Sequence, residues 1–167
     1  AYNVLLKQHA GKGRFDKAER MLEEMKEHDV SPDDVTYNAL LDAAARTGRH
    51  EKGWHLLSHM MKLNITADKY SVSLLLKNVS DKMDKHKVKR GIELVEKYIE
   101  MQRSDADDIL FNSLLDACCR VKDVSRLEKT LQKMKQFDVK PSPATYGTLL
   151  KAYGQKNDIN SVLRVWN

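Results

Sequence analysis

Asparagine recurs directly after an aromatic residue, at Asn3, Asn38 and Asn112. The first two copies are 35 residues apart, and the third follows after 74 residues, about two such periods. Asparagine is a poor residue for a helix interior, because its amide competes for backbone groups. Its donors and acceptor instead suit hydrogen-bonded recognition of a planar polar partner. The chemistry that this spacing favours is therefore binding rather than bond making.

Sequence motifs for catalysis are missing. Nothing resembles a nucleophile elbow, a phosphate-binding loop or a paired-carboxylate site, so we expect no enzymatic activity and no catalytic residues in this chain. His55 and His59 have the spacing of a zinc-binding pair, but no third ligand is apparent. We therefore expect no metal and no other cofactor. Cys118 and Cys119 are the only cysteines, and we expect them to be reduced, buried thiols.

The elements that carry the asparagines are predicted to be short helices in pairs. In the second unit, helix A is predicted over residues 36–46 and helix B over residues 50–63. Helix B has apolar residues at i, i+3 and i+4 spacing, which is typical of an amphipathic helix. Gly13, Gly48 and Asn157 fall between the two helices of their units. Glycine and asparagine accept the left-handed conformation that closes a helix.

Turn signals also separate one unit from the next. Pro32 and Pro141 are expected to stop the second helix of their units, and the Asp or Ser that follows can cap the next helix. A single helical hairpin cannot bury its apolar surface, whereas stacked neighbours bury it jointly. The predicted fold is therefore all-α, an α-solenoid of stacked helix-turn-helix repeats of about 35 residues. The predicted repeats are 1–33 (truncated at its start), 34–68, 69–107 (irregular, with four extra residues in 81–89), 108–142 and 143–167 (truncated).

Charge and hydropathy restrict the partners. The chain has 29 Lys and Arg against 24 Asp and Glu, a net charge of +5, which is compatible with a polyanionic partner. No apolar run reaches 18 residues, so we expect no membrane partner. No targeting segment is visible. Because the chain opens inside a motif and ends inside a helical pattern, we expect it to be a piece of a longer protein.

The second unit carries the most complete motif. It has TYNALL at 36–41, TGR at 47–49 and a closing Asp68, and the first unit repeats the pattern with YNVLL at 2–6 and SPD at 31–33. This pattern resembles the pentatricopeptide repeat family, and the resemblance extends over the whole chain. The third unit departs most, with Val72-Ser73 in place of the aromatic–Asn pair. The resemblance implies binding of single-stranded RNA at about one base per repeat.

The resemblance also implies which side chains choose the base. They are the polar residue after the aromatic position and the last residue of the unit, whereas Gly147 has no side chain to read with. With the amino-terminal repeat at the 5′ end, the implied core is 5′-U-U-G-C/U-3′. The implied pairs are Asn3 with Asp33 and Asn38 with Asp68 for uridine, Ser73 with Asp107 for guanosine, and Asn112 with Ser142 for a pyrimidine, with cytidine favoured.

Further positions follow from the same pattern, and several keep a second interpretation. Asp33, Asp68 and Asp107 are equally well explained as helix N-caps, and both roles are compatible. The tyrosines and Phe111 are expected to pack between repeats rather than to stack on bases. The basic run 82–90 is expected to be a solvated turn and helix start. Residues implied to pack against bases are Val35, Tyr70, Ile109 and Ala144, and candidate phosphate contacts are Arg46, Arg49 and Arg120, with solvated surface charge as the alternative.

The leading functional hypothesis is a sequence-selective module that binds single-stranded RNA. The family resemblance implies a mitochondrion or plastid as its location, and RNA processing, stability, editing or translation as its process. Two alternatives stay open. One is a protein-interaction scaffold within a ribonucleoprotein complex such as a mitochondrial ribosome, with other proteins of the complex as partners. The other is the RNA-recognition arm of an RNA-processing enzyme.

Overall fold

The computed structural model describes residues 2–77, 79–103 and 106–166, and this part of the chain consists of helices and their connections. Along these ranges the helices follow one another in pairs, one pair for each repeat. None of the helices in the described ranges is long and apolar enough to cross a membrane. Four pairs are hairpins, namely α1 (Tyr2–Gly11) with α2 (Phe15–Glu27), α3 (Asp34–Arg46) with α4 (His50–Lys62), α7 (Asp108–Arg120) with α8 (Val124–Gln136), and α9 (Pro143–Gln155) with α10 (Ile159–Trp166). The third pair in sequence is α5 (Lys69–Lys77) and α6 (Lys85–Met101), and these two helices belong to different compact units.

Side-chain caps fix where the first helix of a hairpin begins. Asp33 accepts a hydrogen bond from the backbone N–H of Thr36 at 2.8 Å, so α3 begins at Asp34, two residues before the predicted start. Asp107 caps α7 in the same way through the N–H of Leu110 at 3.2 Å. Ser142 and Thr145 form a capping box at the start of α9. The N-cap interpretation of the unit-end aspartates is thus confirmed for Asp33 and Asp107, and the carboxylate of Asp68 likewise accepts from the N–H of Ser71 at 3.1 Å.

Left-handed residues close the first helix of four hairpins. Gly13, Gly48 and Asn157 have φ of 68°, 70° and 55°, as their residue types indicated. In the fourth hairpin Lys122 takes this conformation, with φ of 60°, although lysine gives no such signal in the sequence.

The second helix of a hairpin ends through a different device from the one predicted. The N–H of Val30 donates to the carbonyl of Met25 at 2.8 Å, and Asp29 between them has φ of 56°. This is the hydrogen bond of a Schellman turn. The turn ends α2 at Glu27, five residues before Pro32, so the prediction that this proline stops the helix is wrong. The same turn, with Asp138 left-handed, ends α8 at Gln136 ahead of Pro141.

The irregular third repeat differs from the others in the lengths of its helices, α5 and α6. Helix α5 has 9 residues, against 13 in α3 and α7, whereas α6 has 17 residues, against 13 in α4 and α8. The start of α6 at Lys85 keeps the usual offset from the start of α5, because α3 and α4 begin equally far apart. The additional length of the unit is therefore carried by α6.

The chain forms two compact units, Ala1–Asn78 and Val79–Asn167, each with a core of recurring apolar positions. Met25, Met60 and Met134 are buried at the ends of their helices. Tyr37 and Phe111 are also buried, which confirms packing rather than base stacking for these two rings. Tyr146, in the last hairpin, is exposed. The leucine pairs at 40–41, 75–76 and 114–115 are fully buried between neighbouring helices.

Ion pairs connect successive repeats within each compact unit. In the first unit, Arg49, the N-cap residue of α4, makes a bidentate contact to Asp16 of α2 at 2.7 and 3.0 Å, and its guanidinium lies over the Phe15 ring. In the second unit, Arg126 of α8 contacts Glu93 and Glu96 of α6 at 3.1 and 2.9 Å. These partners are 33 or 30 residues apart, so the pairs depend on the register in which the hairpins stack.

Candidate nucleic-acid interface

The position that follows the aromatic residue lies in the second turn of α3, α5, α7 and α9, whereas Asn3 is the second residue of α1. Asn38 is the fifth residue of α3, and Ser73, Asn112 and Gly147 take the same position in α5, α7 and α9. Because Asp33 is the cap, Asn38 lies inside the helix, as predicted. Asn3, Asn38 and Asn112 are each half-buried, so their amides combine fixed surroundings with access from solvent.

In the first hairpin, the structure brings Asn3 and Asp33 into contact. The amide Nδ2 of Asn3 donates to Asp33 Oδ2 at 2.9 Å. The hydroxyl of Thr36 lies 2.5 Å from Asn3 Oδ1 and 2.7 Å from Asp33 Oδ1, and it can donate to either oxygen. The amide of Asn3 is thus held on its nitrogen side by a carboxylate and on its oxygen side by a hydroxyl.

Hydrogen bonds also set the charge of Asp33. Those from the Thr36 hydroxyl and, secondarily, from the Thr36 N–H hold the pKa of Asp33 below its ordinary value. The carboxyl group is therefore ionised at neutral pH, where it acts only as an acceptor. An acceptor at this position favours the orientation in which Asn3 presents its nitrogen to Asp33.

In the fourth hairpin, Asn112 and Ser142 form the corresponding contact. Asn112 Nδ2 donates to Ser142 Oγ at 3.0 Å, and the hydroxyl of Thr145 donates to Asn112 Oδ1 at 2.6 Å. The arrangement matches that of Asn3, except that a hydroxyl replaces the carboxylate at the unit end. A hydroxyl can donate as well as accept, so Ser142 constrains the orientation of the amide less than Asp33 does.

The second hairpin has the same residue types as the first but a different geometry. Asn38 Nδ2 donates to the carbonyl of Thr66 at 3.2 Å, and Asn38 Oδ1 accepts from the N–H of Asp68 at 2.5 Å. The carboxylate of Asp68 turns toward the next helix, where it accepts from the N–H and hydroxyl of Ser71 at 3.1 and 3.0 Å. The structure thus brings Asn38 to the backbone of Asp68 and leaves the Asp68 side chain as a helix cap.

The third predicted pair, Ser73 and Asp107, has one member in each compact unit. The hydroxyl of Ser73 is buried and has no hydrogen-bond partner among the described residues. Asp107 is half-buried and caps α7. The third residue of α7 is Leu110, so α7 lacks the hydroxyl that Thr36 supplies in α3 and Thr145 supplies in α9.

The positions predicted to pack against bases carry exposed side chains. Val35, Tyr70 and Ile109 are 45%, 60% and 38% exposed, although their types are usually buried. Each is the second residue of its helix, as is the exposed Ala144 of α9. Apolar side chains therefore recur at the solvent surface in the turn that precedes each base-reading position.

The three arginines predicted as phosphate contacts are all ion-paired within the chain. Arg46 and Arg120 bind the carboxylates of Asp42 and Asp116, one turn earlier on the same helices, at 2.8 and 3.1 Å. Arg49, directly before α4, binds Asp16 of α2 at 2.7 Å. A phosphate would have to compete with these carboxylates, so the structure favours the surface interpretation most strongly for Arg49.

Sequence reasoning missed two groups of side chains. Thr36 and Thr145 hold the asparagine amides, and their signal was a hydroxyl residue directly before the aromatic position. Lys7 and Lys151 are exposed one turn after Asn3 and Gly147, on the helix face that carries the base-reading positions. Their signal was a lysine four residues after the base-reading position, and they are candidate phosphate contacts with greater exposure than Arg120.

The asparagines retain hydrogen-bonding capacity for a ligand. An amide has two N–H donors and two acceptor lone pairs. Asn38 and Asn112 each use one donor and one acceptor within the chain, and Asn3 does so when the single proton of Thr36 points to it rather than to Asp33. One donor and one acceptor are left. The edge of an unpaired pyrimidine presents the complementary set, N3–H beside O4 in uracil and N4–H beside N3 in cytosine. The order of donor and acceptor then decides between the two bases.

Comparison with known proteins places these features in one family. A model described as the PPR repeat family matches residues 1–46 and 32–81, and one described as the pentatricopeptide repeat domain matches residues 100–156. A curated relative, a chloroplastic pentatricopeptide repeat-containing protein of Arabidopsis thaliana, is 24% identical over 166 residues. The alignment covers 99% of this chain and 21% of the relative, so the chain spans about a fifth of that protein's length.

Two solved structures are similar over nearly the whole chain. One is the maize protein PPR10 in complex with an 18-nucleotide psaJ RNA element, with a TM-score of 0.68, 21% identity, and coverage of 98% of this chain and 23% of that one. The other is the PPR domain of Arabidopsis thaliana protein-only RNase P 1 in complex with tRNA, with a TM-score of 0.71, 16% identity, and coverage of 99% and 88%. These likenesses confirm the predicted all-α solenoid fold.

Proposed function

Because this chain belongs to the pentatricopeptide repeat family, we propose that it is a module that binds single-stranded RNA and reads about one base per repeat. The observation that carries the proposal is the repeated placement of Asn3, Asn38 and Asn112. Their amides are half-buried, held by the end of their own unit, and left with one donor and one acceptor each. A plain helix cap needs none of this, since the caps are supplied by other residues.

The proposed base at each position follows from the pair of side chains. Asn3 with Asp33 and Asn38 with Asp68 read uridine, and Asn112 with Ser142 reads a pyrimidine with cytidine favoured. Ser73 with Asp107 reads guanosine. The proposed core is therefore 5′-U-U-G-C/U-3′, with the first repeat at the 5′ end.

The surroundings of the amides support a stacked or splayed RNA strand. Exposed apolar side chains can contact the faces of the bases at Val35, Tyr70, Ile109 and Ala144. Contacts to base faces have no sequence preference of their own. Lys7 and Lys151 are placed to contact phosphates, and Arg46 and Arg120 can do so by exchanging their carboxylate partners. Such contacts make the affinity for RNA depend on salt.

An organellar location is part of the proposal. The curated relative is chloroplastic, and it supports a plastid for the protein that contains this chain. The process is proposed to be the processing, stability, editing or translation of an organellar transcript. A fluorescent fusion of the whole protein tests the location, and a cytosolic signal would refute it.

The direct test of the function is a titration of this chain against short RNAs at two salt concentrations. The RNAs carry U-U-G-C, a scrambled core, or the equivalent DNA sequence. We expect the tightest binding to U-U-G-C RNA, and Asn38→Ala should weaken that binding by about five- to a hundredfold, the range of one base-edge contact pair. The matched control is Asn160→Ala, because Asn160 is an exposed asparagine on α10.

Each other outcome points to a different function. Equal, salt-sensitive binding to all three nucleic acids would reduce the interface to a basic surface. An absence of binding, together with a bound partner protein, would favour the scaffold hypothesis. If RNA binds but the sequence preference is the same in Asn38→Ala, then the base-reading role of the amide is refuted.

A further inference from the structure

The hydroxyl that contacts an asparagine amide comes from the following hairpin. Thr36 is the third residue of α3 and contacts Asn3 of α1, and Thr145 is the third residue of α9 and contacts Asn112 of α7. Both threonines are buried, at 1% and 0% exposure, so their hydroxyls have no access to bulk water. Each of these two asparagines therefore faces a fixed polar group that belongs to its neighbour's helix.

We propose that Thr145 is a third specificity-determining residue for the Asn112 position, because its hydroxyl fixes which way the Asn112 amide faces. The inference rests on the proposed RNA-reading function. Two side chains of the fourth repeat, Asn112 and Ser142, are proposed to choose the base. Thr145 would be a third residue, which lies in the next repeat and need not touch the base. Thr36 has the same role toward Asn3, in a weaker form.

The hydrogen bonds around Thr145 decide the direction of its proton. Thr145 Oγ1 accepts from the backbone N–H of Ser142 at 2.9 Å and keeps one proton to donate. Two oxygens lie within reach of this proton, Asn112 Oδ1 at 2.6 Å and Ser142 Oγ at 3.3 Å, and the shorter distance favours Asn112 Oδ1. An amide has nearly the same shape after a 180° flip, so its neighbours determine where its oxygen and nitrogen lie. The donation from Thr145 holds the oxygen of Asn112 on the side of Thr145.

The unit-end residue determines how much Thr145 matters. Ser142 can donate or accept, so by itself it tolerates either orientation of Asn112. At Asn3, the carboxylate of Asp33 accepts from Nδ2 at 2.9 Å and would repel the oxygen of a flipped amide. The orientation of the Asn3 amide is therefore already fixed by Asp33, and Thr36 adds to it. The orientation of the Asn112 amide is fixed mainly by Thr145. A flipped amide exchanges its remaining donor and acceptor, which is the difference between the edges of uracil and cytosine.

The other hairpins provide natural contrasts. Ser71 occupies the third position of α5, but its hydroxyl donates to Asp68 Oδ2 at 3.0 Å, and the amide of Asn38 is held by backbone groups instead. Removal of the Ser71 hydroxyl should therefore leave the reading by Asn38 unchanged. Ser71→Ala is thus a matched control for the loss of a buried hydroxyl at this position.

The test compares the ratio of affinities for cytidine and uridine at the fourth base, in RNAs that are otherwise identical. Thr145→Val should bring this ratio toward one by about fivefold, the effect of one hydrogen bond. Thr145→Ser, which keeps the hydroxyl, should retain the wild-type ratio. Thr36→Val should change the ratio at the first base by less than about twofold, because Asp33 still holds Asn3. Ser71→Ala should change neither ratio.

A second readout needs no RNA. In the free protein, the side-chain NH₂ resonances of Asn112 should shift and exchange faster with solvent in Thr145→Val, but not in Thr145→Ser or Ser71→Ala. The inference is overturned if Thr145→Val keeps both the wild-type ratio and the wild-type Asn112 resonances, or if Thr145→Ser behaves like Thr145→Val. Wild-type protein that binds RNA without any preference at the fourth base would refute the proposed base reading, and this inference with it.

Discussion

Arg126 is the best-supported ion-pairing residue between two hairpins, and its removal gives a prediction that does not depend on RNA. Its guanidinium contacts Glu96 at 2.9 Å and Glu93 at 3.1 Å on α6, and Asp123 at 3.4 Å on its own hairpin. The side chains of Arg126 and Glu96 are only 15% and 19% exposed. Arg126→Met keeps much of the apolar stem but leaves the carboxylates of α6 without this cation.

The expected cost lies between two known limits. Removal of one partner of a fully buried pair costs about 3–5 kcal/mol, because the other charge is left uncompensated. An exposed pair contributes about 0–1 kcal/mol. Arg126 and Glu96 lie near the buried limit, whereas Glu93 is 43% exposed and screened by solvent. We therefore expect Arg126→Met to lower the free energy of unfolding of the second unit by about 2 kcal/mol.

Urea denaturation followed by circular dichroism measures this loss, and hydrogen exchange locates it. In a repeat array the loss should concentrate in neighbouring hairpins, so protection should fall most in α6 and α8. Lys133→Met is the matched control, because its partner Glu100 is 53% exposed and the pair should contribute about 1 kcal/mol or less. Arg126→Met with Glu96→Gln should cost less than the sum of the single variants. Equal effects of Arg126→Met and Lys133→Met, or strictly additive effects in the double variant, would refute the reasoning.

Two further predictions concern charge and pH. Asp42→Asn should free Arg46 to contact phosphates, so the affinity for every RNA should rise and the salt dependence should steepen by about one phosphate contact. The gain in affinity should disappear in the double variant Asp42→Asn with Arg46→Gln. A titration in which the double variant keeps the gain would exclude Arg46 as the phosphate contact. Burial, and secondarily the charge of Asp123, raises the pKa of Cys118 to about 12, and burial raises the pKa of Tyr37 and Tyr153 as well. The folded protein therefore keeps these protons at a pH, above about 8.5 to 10, at which the unfolded chain releases them. The free energy of unfolding should fall as pH rises from about 9 to 12. A free energy of unfolding from urea denaturation that is the same at pH 8 and pH 10.5 would contradict this prediction.

The fold could be predicted from sequence because its signals repeat. The period of about 35 residues, the buried leucine columns and the left-handed Gly13 and Gly48 each recur, so one ambiguous unit is corrected by the others. The helix ends marked by Pro32 and Pro141 were predicted less well. A Schellman turn around an aspartate closes those helices earlier, and aspartate gives a weaker signal for a left-handed residue than glycine does.

The geometry around the asparagines shows what residue types alone leave open. Asn3 with Asp33 and Asn38 with Asp68 have the same types at the same spacing, yet only Asn3 contacts the carboxylate. The difference depends on how Asp68 divides its hydrogen bonds between Asn38 and Ser71, and rotamer choices of that kind are not encoded in spacing. The pairing of Arg49 with Asp16 could not be predicted from the sequence either, because the two residues come together only when two hairpins stack.

Whether two side chains per repeat choose the base is decided by the exchange of one of them. Ser142→Asp gives the fourth repeat the same pair that the first repeat has in Asn3 and Asp33. The affinity of this variant is measured for four RNAs that differ only at the fourth base. We expect the preference to move to uridine, with unchanged preferences at the other three bases. A fourth-base preference identical to that of the wild type, in a folded variant, would show that this pair does not choose the base.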